Sequence, residues 1–196
     1  MYSLPTSIKI GEKQFNITNK GDFRMVLDCF NALNDEELEE NEQVVAALLI
    51  FYEDIKDIDD LFVQFDTDEL LAEAIQSMFL FLNCGQEHVG METDYELVDW
   101  NKDEQIIVAA INTVANKEVR LEEYIHWWTF MGYYISIGSS VLSTVVGIRY
   151  KIIKNKKLDK EEKEFRQENP HYFDWNFMSS KKQKMDELIK DIWNKE

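Results

Sequence analysis

The residues best spaced for chemistry are two Glu-x-x-His pairs, Glu123 with His126 and Glu168 with His171. In a helical bundle, two such pairs, together with a Glu from each of two further helices, hold a di-iron centre. Pro170 stands directly before His171, however, and a proline there breaks the helix that would have to present both ligands. We therefore expect no metal site, and we interpret His126 as a hydrogen-bonded histidine at the edge of the core.

Signatures of other catalytic chemistry do not occur in the sequence. Its 7 glycines form no phosphate-binding loop. No serine or cysteine stands in a local nucleophile motif. Paired carboxylates are so frequent that no single pair is informative. We therefore expect a protein that is not an enzyme and that needs no cofactor.

The charge of the chain is strongly negative and uneven. The formal net charge is −17, and residues 35–104 carry 22 acidic residues against Lys56 and Lys102, which leaves −20 there. The range 149–196 is mildly basic. Solvated helix faces account for such an acidic block, but acidic surface also repels phosphate backbones and steers basic partners towards it. One alternative function is therefore an acidic DNA mimic or other interaction protein that occupies a DNA-binding host factor, and salt would abolish that binding.

The cysteine content and the first residues bear on the compartment. Cys29 and Cys84 are too few for a disulfide scaffold, and no signal-peptide pattern follows Met1. We expect a cytoplasmic protein with both thiols free.

The most apolar part of the chain is the range 127–148, a run of 22 uncharged residues between His126 and Arg149. Such a run is long enough to cross a bilayer, so a single-span membrane protein is a second alternative. Small polar residues at 136–140 interrupt the run and favour a turn. We predict two buried helices of about 14 residues each, packed as a hairpin around that break. We interpret Trp127, Trp128 and Phe130 as residues that hold the fold.

The remaining patterns predict a mainly α fold. Alternating apolar residues predict an N-terminal β-hairpin at 6–18. Helical stripes then follow from 22, from 44, from one of several candidate caps at 66–69, from near Asn101 or Asp103, and from 159, with a short and uncertain helical turn at 57–65. We predict a single-domain helical bundle over residues 1–170. Residues 171–196 would add an aromatic connector and an amphipathic C-terminal helix.

The C-terminal helix has two interpretations. Its apolar stripe from Met185 to Trp193 either packs back on the bundle or binds a partner helix. For the second case we select the aromatic residues of the connector and three residues of the stripe as partner-binding residues. They are Tyr172, Trp175, Phe177, Leu188, Ile192 and Trp193.

Three sequence elements together resemble a known family. They are Tyr124-Ile-His-Trp-Trp-Thr-Phe130, the pair Ile148-Arg149, and the helix start Leu158-Asp-Lys-Glu-Glu-Lys163. The leading hairpin and the segment 95–111, with Asp99 and Asp103, are also similar. The chain thus resembles, over most of residues 1–173, the small acidic helical tail-assembly chaperones of siphophages and prophages of Gram-positive bacteria, encoded beside the tape-measure protein. At the turn, the family tends to have Leu-Pro followed by an acid, whereas this chain has Ile137-Gly-Ser-Ser140.

The resemblance implies a non-enzymatic function in phage tail morphogenesis. Such a chaperone binds the apolar tape-measure protein, with the tail tube protein as a further partner, in the host cytoplasm. It is not expected in the mature virion. The resemblance implies no binding of nucleic acid or membrane.

Overall fold

The N-terminal residues form the predicted hairpin. In the computed structural model, which describes residues 3–87 and 96–174, strands β1 (Ser7–Ile10) and β2 (Lys13–Asn16) pair antiparallel, with Ile8 opposite Phe15. Gly11 stands in the turn with a φ of +53°, a left-handed conformation that glycine adopts at little cost. Ile10 and Phe15 are buried, so one face of the hairpin packs against the helices.

Eight α-helices follow within the described residues, which confirms the mainly α prediction. They are α1 (Phe23–Leu33), α2 (Glu40–Phe51), α3 (Ile58–Gln64), α4 (Asp68–Leu82), α5 (Glu104–Ala115), α6 (Trp127–Ile135), α7 (Val141–Ile153) and α8 (Lys160–Glu168). Short 3-10 turns lie at Thr18–Gly21, Val119–Leu121 and Pro170–Tyr172.

Side-chain caps fix several helix starts where the sequence predicts them. Asp22 accepts a hydrogen bond from the backbone N–H of Arg24 at the start of α1, and Thr67 accepts one from Leu70 at the start of α4. Ser140 and Asp159 do the same for α7 and α8, each within a capping box. These oxygens satisfy N–H groups that have no partner inside the helix.

The central apolar stretch contains the predicted break, but its helices are shorter than predicted. α6 has 9 residues and ends before Ser136, and α7 has 13 and begins after Ser140. Residues 122–126 are not helical, because His126 pairs with Asp22 in an antiparallel bridge. α7 is not buried all round, since Ser143 and Thr144 are exposed. Within 3–87 and 96–174, no helix has the length and apolar character needed to span a membrane.

The described residues group into two compact units. The first contains 3–87 and 123–131, and the second contains 96–122 and 132–174. An aromatic cluster of Phe15, Tyr52 and Phe65 lies in the core of the first unit, with ring centroids 5.0–5.9 Å apart. In the second unit, Ile111 of α5 and Val145 of α7 are among the residues fully buried between helices.

Some sequence predictions fall outside the described residues. These are the partner-binding residues beyond Asp174 and the C-terminal helix itself. The predicted boundary between a domain at 1–170 and an appendage at 171–196 therefore stays a prediction.

Candidate interaction surface

The adjacent residues Trp127 and Trp128 cap the C-terminal end of α4. The indole Nε1–H of Trp127 donates to the carbonyl of Leu82 at 2.8 Å, and that of Trp128 donates to the carbonyl of Phe81 at 3.0 Å. The last carbonyls of a helix have no i+4 partner inside it, so the Trp127 indole satisfies the buried carbonyl of Leu82. The Trp128 indole adds a second donor to the carbonyl of Phe81, which also accepts from the backbone N–H of Cys84. Trp127 is 1% exposed. The Trp128 ring also packs over Gly85, where an added Cβ would meet it at 3.0 Å.

His126 directly precedes α6 and joins it to the N-terminal segment. Its Nδ1 accepts a hydrogen bond from the backbone N–H of Trp128 at 3.1 Å. The neutral ring therefore carries its proton on Nε2, which donates to the carbonyl of Pro5 at 3.0 Å. Burial lowers the pKa of His126 below its ordinary value of 6.5, although the Pro5 hydrogen bond and the carboxylate of Asp22 act in the opposite direction.

These contacts give the segment 122–130 a structural role. The carboxylate of Asp22 also accepts from the backbone N–H of Ile125 at 2.9 Å, and the rings of Phe23 and Phe130 stack with centroids 4.3 Å apart. The interpretation of Trp127 and Phe130 as residues that hold the fold is confirmed. Glu123 precedes α6 rather than sharing a helix with His126. The described residues hold no cluster of three or more His, Cys, Asp or Glu side chains suited to a metal ion.

A buried ion pair organises the second unit. Arg149, which is fully buried, makes a bidentate contact to Asp103, with Nη1–Oδ2 at 2.5 Å and Nη2–Oδ1 at 2.9 Å. The same guanidinium donates to the carbonyl of Leu97 at 2.8 Å and, through Nε and Nη2, to that of Tyr172 at 2.9 and 2.6 Å. The Asp103 carboxylate also accepts from the backbone N–H of Asp99 at 3.0 Å, and it does not cap α5. One guanidinium therefore joins α7 to two distant chain segments.

Of the six predicted partner-binding residues, the structure describes Tyr172. Its side chain is half-buried, and its carbonyl is held by Arg149 as described above. Trp175, Phe177, Leu188, Ile192 and Trp193 lie outside the described residues, so their role stays a prediction.

A different apolar surface lies on α3, where the sequence pattern predicted only a short and uncertain helical turn. Ile58, Phe62 and Val63 are 49%, 50% and 68% exposed, and we call these three side chains the α3 patch. The side chain that packs α3 against the rest of the first unit is Leu61, which is fully buried. The three patch residues are therefore not required for that packing. Phe62 and Val63 cannot both face the core beside a buried Leu61 on so short a helix. These three consecutive apolar residues are the sequence signal from which an exposed apolar surface on α3 could have been predicted.

Carboxylates surround the α3 patch in the sequence. Residues 53–69 contain eight of them and one basic residue, Lys56. Asp57 caps α3 through the backbone N–H of Asp60 at 2.8 Å. Asp60 in turn accepts from the backbone N–H of Lys56 and the side chain of Gln64, and these hydrogen bonds lower the pKa of its carboxyl. The patch is therefore flanked by carboxylates in the sequence and by the hydrogen-bonded carboxylate of Asp60 on its own helix.

Comparison with known proteins identifies the family. The model of a family described as Bacteriophage Gp15 protein matches residues 1–173. The chain belongs to this family. The Gp15 match covers the two units described here, including the Trp127–Trp128 cap, the Arg149–Asp103 pair and the α3 patch, and it ends one residue after Tyr172. No curated protein and no solved structure gives a significant match.

Proposed function

We propose that this Gp15-family chain is a non-enzymatic tail-assembly chaperone that binds the tape-measure protein during phage tail morphogenesis. The family makes it a bacteriophage protein, and the elements at 124–130 and 148–149 carry the resemblance to tail-assembly chaperones. We place its action in the host cytoplasm, with the tail tube protein as a further partner, and do not expect it in the finished virion.

The observation that carries the proposal is the α3 patch within its acidic surroundings. A chaperone for an apolar chain needs accessible apolar surface on a body that does not itself aggregate. Burial of the patch against a partner gives affinity, at about 25 cal/mol per Å² before ordering costs are subtracted. The surrounding carboxylates and the net charge of −17 oppose association of the loaded complexes.

The C-terminal segment is the second proposed contact. Arg149 donates two hydrogen bonds to the carbonyl of Tyr172. The backbone at residue 172 is therefore attached to the second unit, and the C-terminal segment continues from that position. Residues 174–196 lie beyond the family match. We propose that Trp175, Phe177, Leu188, Ile192 and Trp193 add contacts that suit the tape-measure protein of this chain's own phage.

The test is co-expression with a tape-measure fragment that is insoluble alone. We expect the full-length chain to keep the fragment in solution and to co-purify with it. Deletion of residues 179–196 should weaken this rescue while leaving the circular dichroism of the remaining body unchanged.

Two outcomes would contradict parts of the proposal. Undiminished rescue after the deletion would remove the C-terminal segment from the contact. Failure of the full-length chain to rescue any fragment would refute the chaperone assignment.

A further inference from the structure

The α3 patch has a geometry that suits a helical partner. Ile58 and Phe62 are four residues apart and therefore lie on one stripe of α3, with Val63 beside them. The helix is fixed by its own cap at Asp57 and by the fully buried Leu61. The patch thus belongs to a seated helix, and a partner can cover it without displacing the side chain that anchors α3.

Two carboxylates beside the patch form no ion pair among the described residues, although Lys13 of the hairpin donates to the side chain of Gln64 at the end of α3. Asp59 lies within α3, between the first residue of the patch and the other two, and Asp66 follows the C-cap of the helix, Phe65. Both are exposed, and within the described part of the chain no salt bridge involves either of them. A partner with acidic residues around its apolar contact would bring like charge close to these carboxylates. A partner with only uncharged residues there would leave them without a counter-charge.

From this combination we infer that the α3 patch binds an amphipathic helix whose apolar stripe is flanked by lysine or arginine. The apolar stripe covers Ile58, Phe62 and Val63, and the flanking cations meet Asp59 and Asp66. This inference rests on the proposed function and deepens it, because it states which segments of a tape-measure protein the chaperone would select. Segments with acidic flanks would be rejected through like-charge repulsion.

A second copy of the chain is a poorer occupant of the same surface. Residues 53–69 carry eight carboxylates against one lysine, so a symmetric contact through α3 would bring two acidic surfaces together. The range 179–196 of the same chain has both lysines and an apolar stripe, and its occupancy of the patch is one outcome of the test below.

The probe is a synthetic Leu/Lys peptide of about 18 residues, since shorter isolated helices are marginal in water. A matched peptide has the same leucines with Glu in place of Lys. Binding of each peptide to the full chain is measured by fluorescence anisotropy over a range of salt concentrations. We expect the Lys peptide to bind and to weaken with salt, and the Glu peptide not to bind.

Variants locate the binding. The double substitution Phe62→Ser with Val63→Ser should lower the affinity for the Lys peptide by about tenfold or more, because two exposed apolar side chains lose their contact. Asp59→Asn with Asp66→Asn should lower the affinity and flatten its salt dependence. Leu121→Ser is the control, because Leu121 is 83% exposed and lies outside the patch, and it should bind as the wild type does.

Four results would overturn the inference. The first is equal binding by the Phe62/Val63 double variant and the Leu121 control, and the second is equal binding of the Glu and Lys peptides. The third is self-association of the wild type, seen by sedimentation and lost in the double variant, which would make a second copy the occupant. The fourth is tighter peptide binding after deletion of 179–196, which would make that segment the occupant.

The peptide assay separates this inference from the chaperone proposal. If co-expression rescues the tape-measure fragment but the peptide results fail, the partner chemistry at α3 is wrong and the function stands. If the peptide results hold but no fragment is rescued, α3 is a docking surface for another basic partner and the chaperone proposal is wrong.

Discussion

The two adjacent tryptophans should contribute unequally to stability, and single substitutions can measure the difference. Trp127→Phe keeps most of the ring but removes the donor to Leu82, leaving a buried carbonyl without that hydrogen bond. The cost of such an unsatisfied group is about 1–3 kcal/mol. Trp128→Phe removes the donor to Phe81, but that carbonyl also accepts from the backbone N–H of Cys84 at 2.9 Å. We therefore expect its cost to be smaller, about 0.5–1.5 kcal/mol.

Truncation of the buried ring should have a larger effect. Trp127 is 1% exposed and lies against the rings of Phe30 and Phe130, with centroids 5.8 and 5.9 Å away. Trp127→Ala removes these contacts and leaves a cavity, which costs about 3–5 kcal/mol. At about 2–4 °C per kcal/mol for a chain of this size, the midpoint of thermal unfolding should fall by about 6–20 °C.

The assay is thermal and urea unfolding followed by far-ultraviolet circular dichroism, because tryptophan fluorescence itself changes in these variants. The expected order of destabilisation is Trp127→Ala, then Trp127→Phe, then Trp128→Phe. Equal effects of the two Phe substitutions would show that the Leu82 hydrogen bond does not matter. A wild-type midpoint for Trp127→Ala would refute the assignment of this ring to the core.

Three further predictions concern buried groups. Arg149→Met leaves the Asp103 carboxylate buried without its partner and should cost about 3–5 kcal/mol by urea unfolding, and adding Asp103→Leu should recover part of that loss. The unfolded chain binds a proton on His126 at its ordinary pKa whereas the folded chain resists it, so stability should fall as pH drops from 6.5 towards the lowered folded pKa. His126→Asn, which keeps a capping side chain but does not titrate, should remove that component of the pH dependence. Burial raises the pKa of Cys29 to about 12, so Ellman's reagent should modify the half-buried Cys84 first, and equal native-state rates would contradict this.

Local signals in the sequence predicted most of the helix starts. Asp22, Thr67, Ser140 and Asp159 each cap a helix through atoms two or three residues away, so the sequence nearby contains the whole interaction. The break in the central stretch was predictable for the same reason. The length of α6 was not, because its start depends on the pairing of His126 with Asp22, which is distant in sequence.

The interaction surface was less accessible to sequence reasoning. The resemblance pointed to Arg149 and Asp103 separately, but only the fold brings them together across 46 positions. Apolar residues at helical spacing, such as Ile58, Phe62 and Val63, are normally predicted to be buried. The spacing alone does not show which side of a short helix is covered by the rest of the protein. The C-terminal stripe has the same ambiguity, and that prediction stays open.

The cap on α4 has a consequence for how the chain is made. The first unit needs residues 123–131, yet these are synthesised only after residues 96–122 of the second unit. The hydrogen bond from the N–H of Ile125 to Asp22 cannot form until the 103 residues after Asp22 have been made. The hydrogen bond from the indole of Trp127 to the carbonyl of Leu82 likewise requires the 45 residues after Leu82. At about 5–20 residues per second, translation of the 45 residues from Leu82 to Trp127 takes roughly 2–9 s. During that time the nascent first unit has an uncapped α4 and an unfilled place for two tryptophans, so ribosome pausing before residue 128 should prolong its exposure to proteases and holdase chaperones.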